Sequence, residues 1–271
     1  MIPARKRWGQ HFLVHAGTAE RIVDAARLGV SDTALEVGPG EGALTRLLTE
    51  RAGRLLAIEI DPLRAAALEA ELAEDRVRIF QGDVLDRSFR GWLEIAGWPG
   101  PAVLVANLPY NVATPILVAA LEAPEAILRS IATVQREVAL RFAARPGTEH
   151  YGYLSVRASA FARPRILFDL PPGAFRPRPK VMSSVLELTP REPALPSELR
   201  ARAIAIASLA FRSRRKTLAN ALASAGGRGP WESALAAMGK DLRTRAEVLG
   251  LDEFLALAAS PAAEALATLS P

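Results

Sequence analysis

The residues best suited to chemistry come directly after a short apolar run at positions 102–106. The tetrapeptide Asn107, Leu108, Pro109 and Tyr110 comes directly after AVLVA, a run typical of a buried strand. An amide oxygen and a backbone carbonyl at such a turn can accept both hydrogens of an exocyclic amine, and the proline stiffens the turn. The tyrosine ring can stack on a nucleic-acid base. Taken alone, the tetrapeptide also fits a strand-ending turn with a half-buried tyrosine.

A glycine-rich turn, EVGPGEG at residues 36–42, follows an earlier apolar run. Glycines let the backbone turn tightly and approach a ligand, and the helix that follows offers free N–H groups. The alternation of Gly38, Gly40 and Gly42 differs from the dinucleotide fingerprint G-x-G-x-x-G. Taken alone, the turn fits either a nucleotide site or a strand-to-helix turn whose glycines serve only steric needs, and its spacing argues against a nicotinamide-dependent oxidoreductase.

Two carboxylates end the next two predicted strands. Glu59 lies nineteen residues after Gly40, and Asp83 follows the run RVRIFQG. Because ligands bind outside the carboxyl ends of the strands in open α/β sheets, we expect these acids to lie close to Asn107. Glu59 can accept both ribose hydroxyls of an adenosine, and Asp83 can meet an adenine amino group. Helix caps could supply either acid by chance, but the spacing of the set favours a binding site.

The elements that position these residues alternate between strand and helix. Strands are predicted at 34–38, 54–60, 76–80 and 102–107, with helices at 42–52 and 62–72 between them. Near-continuous apolar strands separated by helices indicate a parallel sheet covered on both faces. Further strands are predicted at 131–135, 154–161 and 181–188.

The pattern changes after Pro190. Three prolines lie within residues 189–198 (TPREPALPSE), which is typical of a linker. Beyond them only helices are predicted, at 198–224, 231–240 and 252–259. The sequence thus predicts an α/β domain over 1–190 and a small helical domain over 191–271.

Composition excludes several classes of site. The chain has no cysteine, which excludes disulfides, iron–sulfur clusters and thiol nucleophiles, and its three histidines lack metal-ligand spacing, so no metal is expected. Half of the residues are apolar, which excludes disorder as the main state. No apolar run reaches the ~18 residues of a membrane span, and the N-terminal segment lacks the apolar core of a signal peptide. We therefore expect a soluble cytoplasmic protein.

The net charge of +5 is concentrated in three clusters. Seven basic residues and no acid lie between Leu199 and Trp231: Arg200, Arg202, Arg212, Arg214, Arg215, Lys216 and Arg228. Residues 157–191 carry seven more against two acids, and Arg5, Lys6 and Arg7 form the third cluster. This distribution indicates a nucleic-acid surface. A helix over 212–216 would place Arg212, Arg215 and Lys216 on one face, for which a merely solvated face is the alternative.

Five motifs in order resemble the KsgA-type small-subunit rRNA adenine N6,N6-dimethyltransferase family. They are KRWGQHFL at 6–13, EVGPGEG at 36–42, NLPY at 107–110, FRPRPKV at 175–181 and FRSRRKTL at 211–218. The resemblance implies a Rossmann-like class I methyltransferase domain with a helical RNA-binding domain, and S-adenosylmethionine as cofactor. It also implies dimethylation of two adjacent adenosines in the 3′-terminal hairpin loop of 16S rRNA, within the small ribosomal subunit and during its biogenesis.

The same resemblance implies roles for single residues. His11 and Leu13 would lie on a segment that covers the cofactor, with Gly38 beside it, although the family often has Asn at position 11. The cofactor would also contact Glu59, Asp83 and Asn107. The catalytic motif would be Asn107, Leu108, Pro109 and Tyr110, while Tyr110 and Phe175 would sandwich the target adenine. Arg212, Arg215 and Lys216 would hold RNA.

Two alternatives remain open besides the oxidoreductase. One is the large-subunit rRNA dimethyltransferase of antibiotic resistance, which shares the N-terminal motifs and is disfavoured by the segments at Phe175 and 214–218. The other is a ribosome-assembly factor that binds the cofactor without catalysis. Retention of Glu59, Asp83, Asn107 and Tyr110 favours an enzyme.

Overall fold

The computed structural model describes residues 10–264, which form two compact units. Residues 10–139 and 164–190 form the first unit, and residues 140–163 and 191–264 form the second. The sequence assigned 140–163 to the first domain, whereas in the structure this segment packs with the C-terminal helices. The basic residues Arg5, Lys6 and Arg7 lie outside the described residues.

The first unit contains a seven-stranded sheet. Its strands are β2 (Thr33–Val37), β3 (Arg54–Glu59), β4 (Val77–Gln81), β5 (Ala102–Asn107), β6 (Ile127–Gln135), β7 (Ala162–Leu170) and β9 (Ser183–Pro190). Their order across the sheet is β4-β3-β2-β5-β6-β9-β7. The first five in this order, β4 to β6, pair in parallel, and β9 pairs antiparallel with β6. Side chains from Ala102 to Ala106 in β5 are all buried, as expected for a parallel strand covered on both faces.

Within the described residues, six helices accompany the parallel strands, of which the first precedes β2, the last follows β6 and the other four connect successive strands. They are α1 (Ala16–Ala26), α2 (Thr45–Arg51), α3 (Pro62–Glu71), α4 (Phe89–Ile95), α5 (Ala113–Leu121) and α6 (Arg136–Ala143), the last of which continues into the second unit. Helix α3 begins where the sequence predicts, because Pro62 occupies its first turn and the Asp61 side chain accepts the N–H of Leu63. The strand order reverses between β2 and β5, which creates a cleft at the carboxyl edge of the sheet.

A separate two-stranded sheet fixes the start of the described chain. Strand β1 (Phe12–Leu13) pairs antiparallel with β8 (Phe175–Arg176), with Phe12 opposite Arg176 and Leu13 opposite Phe175. Leu13 and Phe175 are both buried in the hydrophobic core of the first unit. This pairing holds the N-terminal segment against the cleft.

The second unit is helical. It contains α7 (Tyr153–Phe161), α8 (Ser197–Phe211), α9 (Leu218–Ala221), α10 (Arg228–Ala237) and α11 (Leu251–Ala259). Its core surrounds Trp231, Phe254 and Tyr151, with Leu218 and Leu222 fully buried as well. The Trp231 indole donates to the Ala225 carbonyl over 2.7 Å, and the Tyr151 hydroxyl donates to the Leu249 carbonyl over 2.6 Å, so these buried polar groups are satisfied.

The prediction of a strand at 154–161 was wrong, since this segment is helix α7. Its apolar residues resemble a buried strand in composition. A helix forms because the side chain of Ser155, at its third position, accepts the N–H of Gly152 over 3.2 Å and donates to the Arg141 carbonyl over 2.6 Å. Local capping thus outweighs strand propensity here.

The prediction of one helix over 198–224 was also wrong in its middle. Helix α8 ends at Phe211, and residues 212–216 form a turn before α9 begins at Leu218. Five consecutive cationic or polar side chains at this point have no apolar face to bury, so packing does not extend the helix. Arg212, Arg215 and Lys216 therefore share a turn and not a helix face.

Candidate nucleotide-binding and base-binding site

A cavity of about 250 Å³ lies at the carboxyl edge of the first unit's sheet. It is lined by residues from the ends of β2, β3, β4 and β5 and from the start of the described chain, among them Gly38, Gly40, Glu59, Asp83, Asn107 and His11. Leu108 and Pro109 also line it. The structure thus brings together the carboxyl-edge residues that the sequence predicts to form one site. Val37, Ile58 and Val112 add an apolar lining that the sequence analysis did not assign.

Glu59 is buried at this cavity, and its carboxylate is fixed by backbone donors. Its Oε2 accepts the N–H of Gly40 over 2.9 Å, and its Oε1 accepts the N–H of Asp61 over 2.9 Å. Burial raises the pKa of Glu59 above its ordinary value, while these two hydrogen bonds and Arg64 oppose the rise. Each oxygen keeps a further lone pair, so the carboxylate can still accept hydroxyl groups of a ligand.

Asp83 lies at the tip of β4 beside the same cavity. Its Oδ1 accepts the N–H of Leu85 over 2.9 Å and thereby caps a short 3₁₀ turn at Val84–Asp86. The cap uses Oδ1 and fixes the side chain at the strand tip. Asp83 thus combines a structural role with an acceptor at the cavity.

Glu36 is a residue that the sequence analysis quoted but did not assign. It is 2% exposed, its Oε2 has no hydrogen-bond partner among the described residues, and it lines a recess of about 20 Å³ that shares Phe12, Gly38 and Asn107 with the main cavity. Burial raises its pKa to about 8; the Glu59 charge adds to the rise, whereas Thr45 and Arg46 oppose it. The signal that could have found it is an acid inside the apolar run ALEVG.

Phe12 fastens the N-terminal segment over the glycine turn. A Cβ at Gly40 would come within 2.6 Å of the Phe12 ring, and Gly40 has a φ of +59°, so both space and conformation require glycine there. The buried Arg64 guanidinium lies 4.2 Å from the centroid of the Phe12 ring and within 3.8 Å of an Asp61 carboxylate oxygen. Leu13, predicted to contact the cofactor, is buried in the core and lines the small recess rather than the main cavity.

Asn107 has a defined orientation because its side chain bonds to the N-terminal segment. The Nδ2 group donates to the backbone carbonyl of His11 over 2.7 Å. The amide oxygen therefore remains as the acceptor at the end of β5. The backbone N–H of Leu108 donates to the Thr133 carbonyl over 3.1 Å, which fixes the turn that carries the Leu108 carbonyl.

Tyr110 lies beside the cavity and is held by two neighbours. Its hydroxyl is 2.5 Å from the Ser183 hydroxyl, and its ring stacks on the imidazole of His11 with a centroid distance of 4.9 Å and an interplanar angle of 28°. Burial raises the pKa of the Tyr110 hydroxyl, and the bond to Ser183 opposes the rise. The ring is thus oriented, with one face in contact with His11.

The structure does not bring Phe175 to Tyr110. Phe175 is 3% exposed and packs in the core of the first unit beside Leu13, and it does not line the cavity. The strand pairing of β1 with β8 explains this burial, since it turns Phe175 towards the sheet. This conformation therefore does not support the expectation that Tyr110 and Phe175 hold the target base between their rings.

The basic residues between Leu199 and Trp231 include side chains with and without an acidic partner. Arg202 and Arg228 pair with Glu198 and Glu232, so they are already neutralised. Arg212, Arg215 and Lys216 are exposed, and none of them forms an ion pair within residues 10–264. Their turn follows the C-terminal end of α8, where helix carbonyls favour cations. Within the same described range, no helix could span a membrane and no cluster of three His, Cys, Asp or Glu side chains could hold a metal.

Comparison with known proteins gives four informative matches. A family model described as ribosomal RNA adenine dimethylase matches residues 1–259. The Ribosomal RNA small subunit methyltransferase A of Moorella thermoacetica is 42% identical over 265 residues, which cover 95% of this chain and 92% of that protein. The crystal structure of the 23S rRNA methyltransferase ErmE is 27% identical, with a TM-score of 0.73 over 91% of this chain and 98% of that one. A dimethyladenosine transferase from Plasmodium falciparum, at 21% identity and a TM-score of 0.74, supports the fold alone.

The α/β sheet, its cavity and these neighbours define a Rossmann-like methyltransferase with a helical C-terminal part. The chain belongs to the ribosomal RNA adenine dimethylase family. The fold class and the resemblance deduced from the five motifs are therefore confirmed, as is the prediction of an enzyme.

Proposed function

We propose that this enzyme uses S-adenosylmethionine to dimethylate N6 of two adjacent adenosines in the 3′-terminal hairpin loop of 16S rRNA, during biogenesis of the small ribosomal subunit. The observation that supports this proposal is the cavity lined by Gly38, Glu59, Asp83 and Asn107, with the ring of Tyr110 beside it. The small-subunit substrate is supported by the relatives of about 40% identity, which are named for that subunit. Because ribosomal subunits of bacteria lie in the cytoplasm, the enzyme would act there.

The donors and acceptors of the cavity fit the cofactor. Glu59 would accept the ribose hydroxyls and Asp83 the adenine amino group, each with a carboxylate that the backbone already fixes. Glu36 is a buried carboxyl with an oxygen that lacks a partner, which suits a cationic group of the ligand. When bound, S-adenosylmethionine supplies an electrophilic methyl group on its sulfonium.

Asn107 and the Leu108–Pro109 turn would hold the target amine. The bond from Asn107 Nδ2 to His11 leaves the amide oxygen as an acceptor for one N6 hydrogen. The Leu108 carbonyl would accept the other, because Leu108 lines the same cavity. Holding both hydrogens favours a pyramidal nitrogen with an available lone pair, and positioning supplies much of the acceleration. Neither acceptor has to remove the proton, which can leave after the transfer.

Tyr110 would hold the adenine by stacking. An unpaired base in an RNA loop needs little energy to leave its neighbours, and an aromatic platform then fixes its plane. The hydrogen bond to Ser183 holds the Tyr110 ring at one orientation, and a base stacked on that ring would present its amine to Asn107. Arg212, Arg215 and Lys216, exposed and without ion pairs in the described chain, would neutralise phosphates of the rRNA.

The decisive assay is transfer of labelled methyl groups to unmethylated small subunits, followed by nucleoside analysis. The proposal requires N6,N6-dimethyladenosine at two adjacent positions, mapped by primer extension. Parallel reactions with large-subunit RNA test the alternative that the protein is a 23S rRNA enzyme. Such an enzyme would label only the large-subunit RNA. Subunit binding without any methyl transfer would instead identify a non-catalytic assembly factor and overturn the proposal.

A further inference from the structure

We propose that the imidazole of His11 occupies, in the free enzyme, the face of Tyr110 on which the target adenine stacks, and that the base must displace it. His11 would thus be a side-chain plug of the base site. The inference rests on the proposed function, because it takes Tyr110 as the platform for an adenine base.

The contact between the two rings has the geometry of a base stack. Their centroids are 4.9 Å apart and their planes differ by 28°, which lies within the range of offset stacking. The Nδ1 atom of His11 lies 2.6 Å from the Pro177 carbonyl, so the imidazole is held in place at a second point. Two planar rings cannot occupy the same face of Tyr110, and an adenine there therefore excludes the imidazole.

Only the side chain of His11 has to move, because its backbone is fixed. Its carbonyl accepts the Asn107 amide, and the next two residues pair with β8. The Phe12 ring is held between Gly40 and Arg64. Rotation about the His11 side-chain bonds would expose Tyr110 while leaving Asn107 oriented for catalysis. The opening step is therefore local and does not require the N-terminal segment to detach.

Displacement of the imidazole reduces the apparent affinity for the substrate. An aromatic pair contributes an energy that corresponds to about a 2- to 10-fold change in an equilibrium constant. The enzyme with Tyr110 covered cannot stack the base, so the observed dissociation constant exceeds the intrinsic one by the same factor. A residue without a ring at position 11 would remove this competition.

The first test measures the free enzyme. The chain has only three histidines, His11, His15 and His150, so their imidazole ¹H–¹⁵N spectra are readily assigned by substitution. The ring current of Tyr110 should shift the His11 resonances, and Tyr110→Leu should return them to ordinary positions. His11 resonances that do not respond to Tyr110→Leu would overturn the proposal.

The second test measures binding of unmethylated small subunits at saturating S-adenosylhomocysteine, which holds the cofactor site constant. His11→Ala and His11→Asn should both tighten binding about 2- to 10-fold, since both lack the imidazole. His15→Ala is the matched control, because His15 is exposed and makes no side-chain cap for α1. Equal or weaker binding by both His11 variants would overturn the plug.

These outcomes can be separated from failure of the proposed function. If the wild-type enzyme methylates small subunits but the His11 variants bind no more tightly, the plug is wrong and the function stands. If the wild type transfers no methyl group to any RNA, the function itself is wrong, whatever the spectra show.

Discussion

The side-chain amide of Asn107 donates to the backbone carbonyl of His11 over 2.7 Å, although 96 positions separate the two residues. This bond joins the fourth parallel strand tip along the chain to the N-terminal segment and decides which end of the amide faces the cavity. Because a backbone carbonyl is the acceptor, the orientation does not depend on the side chain at position 11.

Asn107→Ala should lower kcat by roughly 10²-fold, since loss of the acceptor misplaces the amine. Binding of small subunits should change far less, because stacking on Tyr110 remains. Steady-state methyl transfer and equilibrium binding, measured on the same preparation, check this split. Asn220→Ala, which removes an exposed amide from α9, is the control and should retain wild-type kcat. Equal losses in binding and kcat would assign Asn107 to substrate affinity instead.

Tyr110→Ala should weaken substrate binding by about 1–3 kcal/mol, the energy of one base stacked on an aromatic ring. Cofactor affinity should be almost unchanged, because Tyr110 is not part of the cavity lining. Tyr110→Phe keeps the ring and loses only the bond to Ser183, so its binding should stay near that of the wild type. Binding of small subunits and calorimetry with the cofactor measure the two effects. Full affinity in Tyr110→Ala would show that the motif is only a structural turn.

Glu59→Ala should weaken binding of S-adenosylmethionine by about 1.5–3 kcal/mol, through loss of a charge-assisted hydrogen bond to the ribose. Calorimetry measures this change directly, with circular dichroism to check the fold, because Gly40 and Asp61 also lose an acceptor. Glu69→Ala removes an exposed acid from α3 and should leave the affinity unchanged. An unchanged affinity in folded Glu59→Ala would contradict the ribose assignment.

The strand tips were predictable because the parallel strands are mostly apolar runs that end at or close to a polar residue. Glu59, Asp83 and Asn107 therefore converge as the sequence predicted. Phe175 was not predictable in the same way, since the pairing of β8 with β1 buries it and depends on residues more than 160 positions away. Likewise, no local pattern reveals that His11 stacks on Tyr110. The positions of Phe175 and His11 thus depend on contacts between residues that are far apart in the sequence.

Glu36 makes stability depend on pH in a direction opposite to that of a salt-bridged acid. The unfolded chain releases the proton near the ordinary pKa of 4.5, whereas the folded chain keeps it up to a pKa of about 8. The folded state therefore binds more protons between these values, and stability falls as pH rises from 4.5 to 8. Burial of the charged form is the cause.

Glu36→Gln should remove this dependence, because glutamine does not titrate. Its advantage in stability over the wild type should grow between pH 5 and pH 8 by about 2–4 kcal/mol. Urea unfolding at several pH values measures the difference. A difference that is constant with pH would show that Glu36 titrates normally in the folded protein.

Replacing Arg212, Arg215 and Lys216 together by alanine should weaken binding of small subunits and flatten its dependence on salt. Each phosphate neutralised contributes about −0.7 to the log–log salt slope for single strands, so the loss should reach up to about two units. The three side chains lie in one exposed turn, where they need not face the same way to contact a folded RNA. Cofactor affinity should not change, since the strand tips of the first unit are untouched.

The matched control replaces Arg202, Arg228 and Arg245, three cations of the second unit that already pair with acids. Parallel slopes and equal affinities for the wild type and the first variant would show that this turn does not hold RNA.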